Sequence, residues 1–429
     1  MKIYAPSITE RVKYAIDLVL KQVCLFDYEY VSKEAIKTSD IVVNYSGENI
    51  ESSFQVHPHG LLFENDIKKF DVSFEYGGKE KVKLFTTEFD DLGFDIFSAS
   101  FFLATRFEEY WKFESDNHDR YTSKNSLASK LGYLHLPLIN IWGEVLKEKL
   151  KSHFERLELR KRSFKIINTI DVDNAWAYLN KGTLRASGAL AKAGIQLKLS
   201  EIGDRAKVLS SGKNDPYDTY DYLKKVQDEI GVESIYFFLL GDRGEFDKNV
   251  PHTSIALQLM INQISMYATI GIHPSYGSYL NPKQLATEIE RLNSITDNEV
   301  SLSRKHFLKL NIPETYRNLE RAGITNDYSM GYADNIGFRA SICSPYTFFD
   351  LLQNKVLNLT IHPFAYMDGT LNEYLGLSIE DAKEKVASLK QQVKEVGGVF
   401  IGIWHNETVN DIGIWKGWRT VYEGAINEN

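Results

Sequence analysis

The sequence predicts a mixed α/β protein in two parts, with a parallel, barrel-like sheet in the larger C-terminal part. Three observations lead there. From Ser163 onward, short apolar runs of strand length alternate with longer amphipathic segments, the pattern of β/α units. Before that point the pattern is irregular, with amphipathic helices between isolated short strands. The chain is also long for one domain, and with 429 residues, 43% of them apolar, it has ample material for two cores.

The first element is an amphipathic helix. Ile8, Val12, Ala15, Ile16, Val19, Leu20 and Val23 recur at helical spacing, interrupted by Arg11, Lys13, Asp17 and Lys21. A strand is predicted at residues 40–45, with further strands through about Phe89. Residues 94–110 are dense in apolar side chains and predict a buried helix ending in a charged turn. Glu108 and Glu109 in that turn diverge by about 100° around a helix. They therefore read as a solvated pair or as partners of Arg106 or Arg120. Residues 116–120 are polar enough for an exposed loop, and 138–153 predict another amphipathic helix. The basic stretch 157–163 marks the expected boundary, dividing residues 1–160 from residues 161–429.

In the second part strands are predicted at 165–170, 234–240, 268–272, 299–303, 324–328, 357–361 and 399–404. Helices are expected at 281–295, with Pro282 in the first turn, and at 313–322, closed by Gly323. A third, at 378–396, has Ser378 as its cap, Glu380 and Asp381 in its first turn, and Gly397 at its end. Residues 183–216 have a weaker pattern and read as an insertion or a lid. Seven parallel strands form a barrel with about one strand fewer than the usual eight, or one that is incompletely closed.

The net charge of −8 is wrong for a general nucleic-acid binder, which needs a basic face. The 24 Tyr and 24 Phe residues favour broad buried surfaces and a pocket with stacking walls. Cys24 and Cys343 have no metal-type spacing and are expected as reduced, buried thiols. No stretch approaches the ~20 apolar residues of a membrane helix, and the start of the sequence lacks a signal-peptide pattern. A cytoplasmic protein that binds neither membrane nor nucleic acid is the expectation.

In a β/α barrel the chemistry sits where the strands end. The first predicted strand ends in Asp171 and Asp173, which an extended chain points to the same side. Two carboxylates that close need a cation or a basic group beside them, so the pair reads as a metal or acid–base site, with a simple Asp turn as the alternative. The remaining strands end in Asp242 and Arg243, His273, Arg304 and His306, Asp327, His362, and His405 with Asn406. Four of the ten histidines thus fall at one rim. His273 and His405 directly follow apolar runs, where a ring nitrogen needs a partner. His306 is open to a site role or to a bond with a backbone carbonyl. His362, before Pro363, suits a turn, and Asp242 with Arg243 suits a surface ion pair.

On these residues, the region from about Ser163 to Ala425 resembles the polysaccharide deacetylases with the NodB-type catalytic domain. The N-terminal part looks like an accessory domain attached to a bacterial subgroup of them. The family's first motif is similar to Thr169-Ile170-Asp171-Val172-Asp173, and its last to Ile403-Trp404-His405. The histidine motif is similar to the stretch from Gly271 to Gly277, which supplies His273 but has Gly277 where a second histidine belongs. The resemblance implies a distorted (β/α)7 barrel of polysaccharide-deacetylase type, preceded by a smaller mixed α/β domain. It implies a divalent metal, with Zn²⁺ the expected ion, held by Asp173 and His273; with Gly277 at the second-histidine position, either His306 takes the third place from a neighbouring strand, or water fills it, or the metal is lost. It further implies Asp171 as general base, His405 as general acid, and Arg304 or Arg339 as the arginine beside the base. Trp176, Tyr276, Tyr279 and Trp404 would face a carbohydrate substrate whose N-acetyl amide is hydrolysed. Two other classes stay open. One is a catalytically impaired carbohydrate-binding protein on the same fold. The other is a metal-independent glycoside hydrolase using two acids among Asp171, Asp173, Asp242, Asp327 and Asp368.

Overall fold

The computed structural model describes residues 1–77, 82–88, 90–180, 205, 208 and 214–428. The stretch 183–216, read from sequence as an insertion or lid, lies largely outside the described residues.

In the N-terminal part, Thr9 Oγ1 accepts the Val12 N–H at 3.1 Å and starts the helix Glu10–Ile16. It continues as a π-helical stretch, Asp17–Val23. Val12, Ala15, Ile16, Val19, Leu20 and Val23 are buried, as their spacing requires, while Ile8 is exposed. This part also holds a small parallel sheet of β1 (Lys2–Tyr4), β2 (Glu29–Tyr30), β3 (Val42–Asn44) and β4 (Phe54–Gln55), in the order β2-β1-β3-β4. A two-stranded ribbon, β5 (Phe74–Glu75) and β6 (Lys83–Leu84), follows. The helix Ile96–Ala104 is buried throughout, and Asp95 caps it by accepting the Phe97 and Ser98 N–H groups. The helix Leu138–His153 completes this part.

The C-terminal sheet comprises nine strands among the described residues. They are β7 (Lys165–Val172), β8 (Glu233–Phe238), β9 (Thr269–Ile272), β10 (Leu302–Ser303), β11 (Asn326–Asp327), β12 (Tyr346–Asp350), β13 (Lys355–Ile361), β14 (Tyr366–Met367) and β15 (Val399–His405). Their order is β12-β13-β11-β10-β9-β8-β7-β15-β14, and every pairing is parallel except β12 with β13. The protein is thus a mixed α/β molecule with an N-terminal α/β part and a large, mostly parallel C-terminal sheet. All seven predicted strands are present. The two additional ones are β12, which turns back onto β13 through a tight turn at Asn354 (φ 49°), and the two-residue β14. No glycine marks that turn, and two residues are too few for alternation to register.

Helices join the parallel strands. Ser378 Oγ accepts the Asp381 N–H and starts Ile379–Glu395, and Gly397, at φ 59°, ends it. The strands alternate cleanly. On the inner side Ile167, Ile235, Phe237, Ile401 and Ile403 form one apolar cluster with Leu308, Tyr328 and Phe364. Asp171, after Thr169, and His405, after Ile403, continue the inward faces of β7 and β15, and the register sets them opposite each other.

The two parts share one continuous buried apolar cluster. They are also joined by a buried ion cluster. Glu109 accepts Arg106 Nε at 2.7 Å and Arg339 Nη2 at 2.5 Å, and Glu108 accepts Arg106 Nη2 at 2.8 Å. The glutamates are therefore not a solvated pair, and of their expected partners Arg106 is present whereas Arg120 lies elsewhere. Burial pushes the Glu109 carboxyl up, but the two guanidinium groups outweigh it and hold it below its ordinary range. Replacing Glu109 with Ala leaves two buried guanidinium groups facing each other. It is expected to cost about 3–5 kcal/mol of stability, read as a shift in the urea unfolding midpoint.

Candidate functional site

Because the strands run parallel and in register, their C-terminal ends form one rim. At its centre are Asp171 and, one step beyond β7, Asp173. Asp171 Oδ1 accepts Arg304 Nη1 at 2.9 Å. Arg304 is fully buried; its Nη1 also donates to Thr169 Oγ1 and its Nε to the Tyr328 carbonyl, and it lies 4.7 Å from the centre of the Phe237 ring. The arginine beside Asp171 is thus Arg304. Arg339, the other candidate, is not brought to the rim, because its guanidinium is held by Glu109 in the cluster that joins the two parts.

Asp173 receives two imidazoles. His273 Nε2 stands 3.1 Å from Asp173 Oδ1, and His306 Nε2 stands 3.3 Å from Asp173 Oδ2. One ligand atom from each of these three residues lies within 4.8 Å of the other two. Both rings are fixed from behind. His273 Nδ1 donates to the Arg304 carbonyl at 2.5 Å, and His306 Nδ1 donates to Asp247 Oδ1 at 2.9 Å. Each Nε2 is therefore aimed at the same point, the arrangement by which histidine ligands are usually oriented. Asp173 Oδ1 is a buried atom whose one close neighbour, His273 Nε2, is not aligned as a hydrogen bond. A carboxylate oxygen without an aligned hydrogen bond, beside two aimed imidazoles, fits a divalent cation.

Asp247 is the residue that sequence reasoning missed. It follows β8 in a polar loop without periodicity, and only the fold brings it under His306. Its Oδ1 also accepts the Tyr276 N–H and its Oδ2 the Gly277 N–H, at 2.8 and 3.0 Å. A Cβ on Gly277 would meet Gln284 Nε2 at 3.2 Å and Asp247 Oδ2 at 3.6 Å. A side chain there would start toward the carboxylate that braces His306, and His306 fills the third position from the end of β10.

On the opposite side, His405 Nδ1 donates to Asp368 Oδ1 at 2.9 Å, and the His405 backbone N–H donates to Asp368 Oδ2 at 2.7 Å. Thr408 Oγ1 also donates to that carboxylate. His405 Nε2 is 3.9 Å from Asp173 Oδ2. Burial lowers the His405 pKa, but Asp368 first, then Asp173 and Asp171, outweigh it and hold the ring protonated well above the usual histidine range. Asp368 follows β14, the strand too short to see in the sequence.

A cavity of about 200 Å³ opens over these groups. Besides Asp171, Asp173, His273, His306, Asp368 and His405, its walls include Arg120, Phe307, Glu373, Tyr374, Glu407 and Trp415. Trp176, Tyr276, Tyr279 and Trp404 are not among the lining residues. Trp404 is fully buried with its indole N–H on Tyr366 Oη, and Trp176 is buried too. Tyr276 and Tyr279 lie against Lys309, at 4.3 and 4.2 Å from its Nζ to the ring centres. Three more strand-end residues stay out of the cavity. Asp242 is exposed and pairs with Arg291. Asp327 is buried against Ser329, and its burial pushes its pKa up to about 6. His362 stacks on Tyr328, and burial pushes its pKa down to about 4.

A family model described as a family of unknown function (DUF7033) matches residues 1–155. No curated protein matches the chain. Among solved structures, a candidate polysaccharide deacetylase from Mycobacterium smegmatis is similar at 16% identity and a TM-score of 0.41, over 63% of this chain and 86% of its own. The Puue allantoinase is similar at 10% identity and a TM-score of 0.36, over 62% and 82% of the two chains. A mutant CE4-family pseudoenzyme with restored enzymatic activity is similar at 12% identity and a TM-score of 0.26, over 57% and 66%. Among the described residues, no helix is long and apolar enough to cross a membrane.

Two outcomes follow for metal binding. Burial lowers the His306 pKa, but Asp173 and Asp247 outweigh it and raise it to about 9. A cation must displace that proton, so affinity for Zn²⁺ is expected to fall about tenfold per pH unit below pH 9, with proton release visible by calorimetry in buffers of different ionisation enthalpy. Asp247→Asn keeps the shape but loses the charge behind His306. It is expected to weaken Zn²⁺ by about 10–100-fold in a competition titration.

Proposed function

We propose that the chain is a metal-dependent hydrolase of N-acetyl amides on amino sugars, with residues 161–429 carrying the reaction and residues 1–160 as an accessory domain. The observation that carries this reading is the convergence of three metal-type ligands between an Asp171–Arg304 pair on one side and a His405–Asp368 pair on the other. When bound by Asp173, His273 and His306, a divalent ion such as Zn²⁺ would supply Lewis-acid polarisation of the acetyl carbonyl. Arg304 holds one oxygen of the Asp171 carboxylate and keeps it in place. The carboxylate can then take a proton from the attacking water. Protonated His405 keeps its Nδ1 proton on Asp368 and presents its Nε2 proton to the cavity. Donation of that proton to the departing amine turns a poor leaving group into a neutral one. Transfer of one proton to Asp171 and one from His405 balances hydrolysis to acetic acid and the neutral amino sugar, and the acid then ionises in water.

A two-carboxylate glycosidase is disfavoured by the same bonds. Asp171 is paired with Arg304, Asp368 with His405, and Asp242 and Asp327 lie away from the cavity. Each of these carboxyls that reaches the cavity is engaged by a basic partner, so no pair of them is free to serve as acid and nucleophile.

Acetate release from N-acetylated oligosaccharides by metal-loaded protein, abolished by a chelator and restored by Zn²⁺, is the expected result. His405→Ala is expected to lower kcat by about 10²–10⁴-fold while bound metal, measured by mass spectrometry, stays the same. Chain cleavage that survives the chelator, or no acetate release at full metal loading, would overturn the reading.

A further inference from the structure

The N-terminal part reaches the cavity as well as the shared core. Residues 116–120 form a tight loop. Asp116 Oδ1 accepts the His118 and Arg120 N–H groups at 2.9 and 3.0 Å, and Asp119 takes a left-handed conformation at φ 58°. His118 packs edge-on against Phe246, at 5.2 Å between ring centres. Just beyond the loop, the Ser123 hydroxyl donates to Asp334 at 2.8 Å. So anchored, the loop puts Arg120 into the cavity wall.

Arg120 bridges both halves of the reaction site. Its Nη1 donates at 2.9 Å to the carbonyl of Phe307, the residue after His306. Its Nη2 donates at 3.1 Å to Tyr374 Oη, on the segment that follows Asp368. Its Nε is held at 2.8 Å by Asp116. A guanidinium has five N–H donors, and these three bonds leave two.

We propose that Arg120 is a specificity-determining residue, supplied by the N-terminal part to read a carboxylate on the acylated sugar. This rests on the hydrolase reading above and adds its substrate class. The other cationic groups of the wall are engaged within the site, whereas Arg120 keeps two N–H donors beyond its bonds to Asp116, Phe307 and Tyr374. Asp171 has Arg304, Asp368 has His405, and the Lys305 ammonium donates to Ser278 Oγ at 2.8 Å. A planar guanidinium with spare donors matches a carboxylate better than any other group there. Glu373 stands in the same wall and disfavours an anion away from Arg120, which favours one orientation of a carboxylated sugar.

The test compares N-acetylglucosamine with N-acetylmuramic acid, the same ring bearing a lactyl carboxylate. Acetate release and calorimetric binding are measured on metal-loaded parent protein, Arg120→Ala and Arg120→Lys. The parent is expected to prefer the carboxylated sugar, and Arg120→Ala to lower the ratio of the two kcat/KM values by about 10–100-fold. Arg120→Lys keeps the charge without the fork and retains part of the preference. Because the ratio is taken within each variant, any loss of folded protein cancels. A parent without preference, or an equal loss on both sugars, overturns the proposal. Arg120-dependent binding of the carboxylated sugar without acetate release upholds it and overturns the hydrolase reading. Acetate release from both sugars with no dependence of their ratio on Arg120 does the reverse.

Discussion

An imidazole can aim one nitrogen at a chosen point only if its other nitrogen is held, and the cavity of this protein depends on that constraint. His273 is held by the carbonyl of Arg304 and His306 by the carboxylate of Asp247, so both Nε2 atoms meet at Asp173. The same restraint recurs at His405, whose ring is fixed by Asp368. Three carboxylates standing this near one another repel unless positive charge lies among them. Protonated His306 and His405 supply it in the metal-free protein, with Arg304 behind Asp171. A bound cation and the His306 proton are therefore alternative solutions to one electrostatic problem.

The geometry behind this is the parallel sheet. Parallel strands in register finish at one rim, and alternation decides which residues face inward there. Asp171 and His405 extend an apolar inner face built from Ile167, Ile401 and Ile403. Beneath the polar groups lies dry packing that leaves them little freedom. The N-terminal part joins this frame through the Arg106–Glu109–Arg339 cluster and through the loop that carries Arg120. It is packed against the site rather than tethered beside it.

How far the site was legible follows from where each residue sits. His273 and His405 end apolar runs, so the strand pattern points at them. Arg304 and Arg339 both lie just beyond apolar segments, and nothing local separates the arginine that meets Asp171 from the one that meets Glu109. Asp247, Asp368 and Arg120 are in loops without periodicity, and their partners are 59, 37 and 187 residues away in the chain. Aromatic content likewise does not tell direction. Trp176 and Trp404 adjoin the site residues in sequence yet turn into the core, while Phe307, Tyr374 and Trp415 line the cavity.

The sequence by itself determined the α/β class, the seven strands whose apolar runs are long enough to register, and the residue types at their ends, because these depend on short-range periodicity. Only the tertiary structure decided that His306 joins His273 at Asp173, that Arg304 rather than Arg339 faces Asp171, and that the N-terminal part contributes to the cavity wall. Those choices are made by hydrogen bonds and ion pairs between distant loops. Such bonds have no spacing rule, and chain folding alone brings their partners within reach.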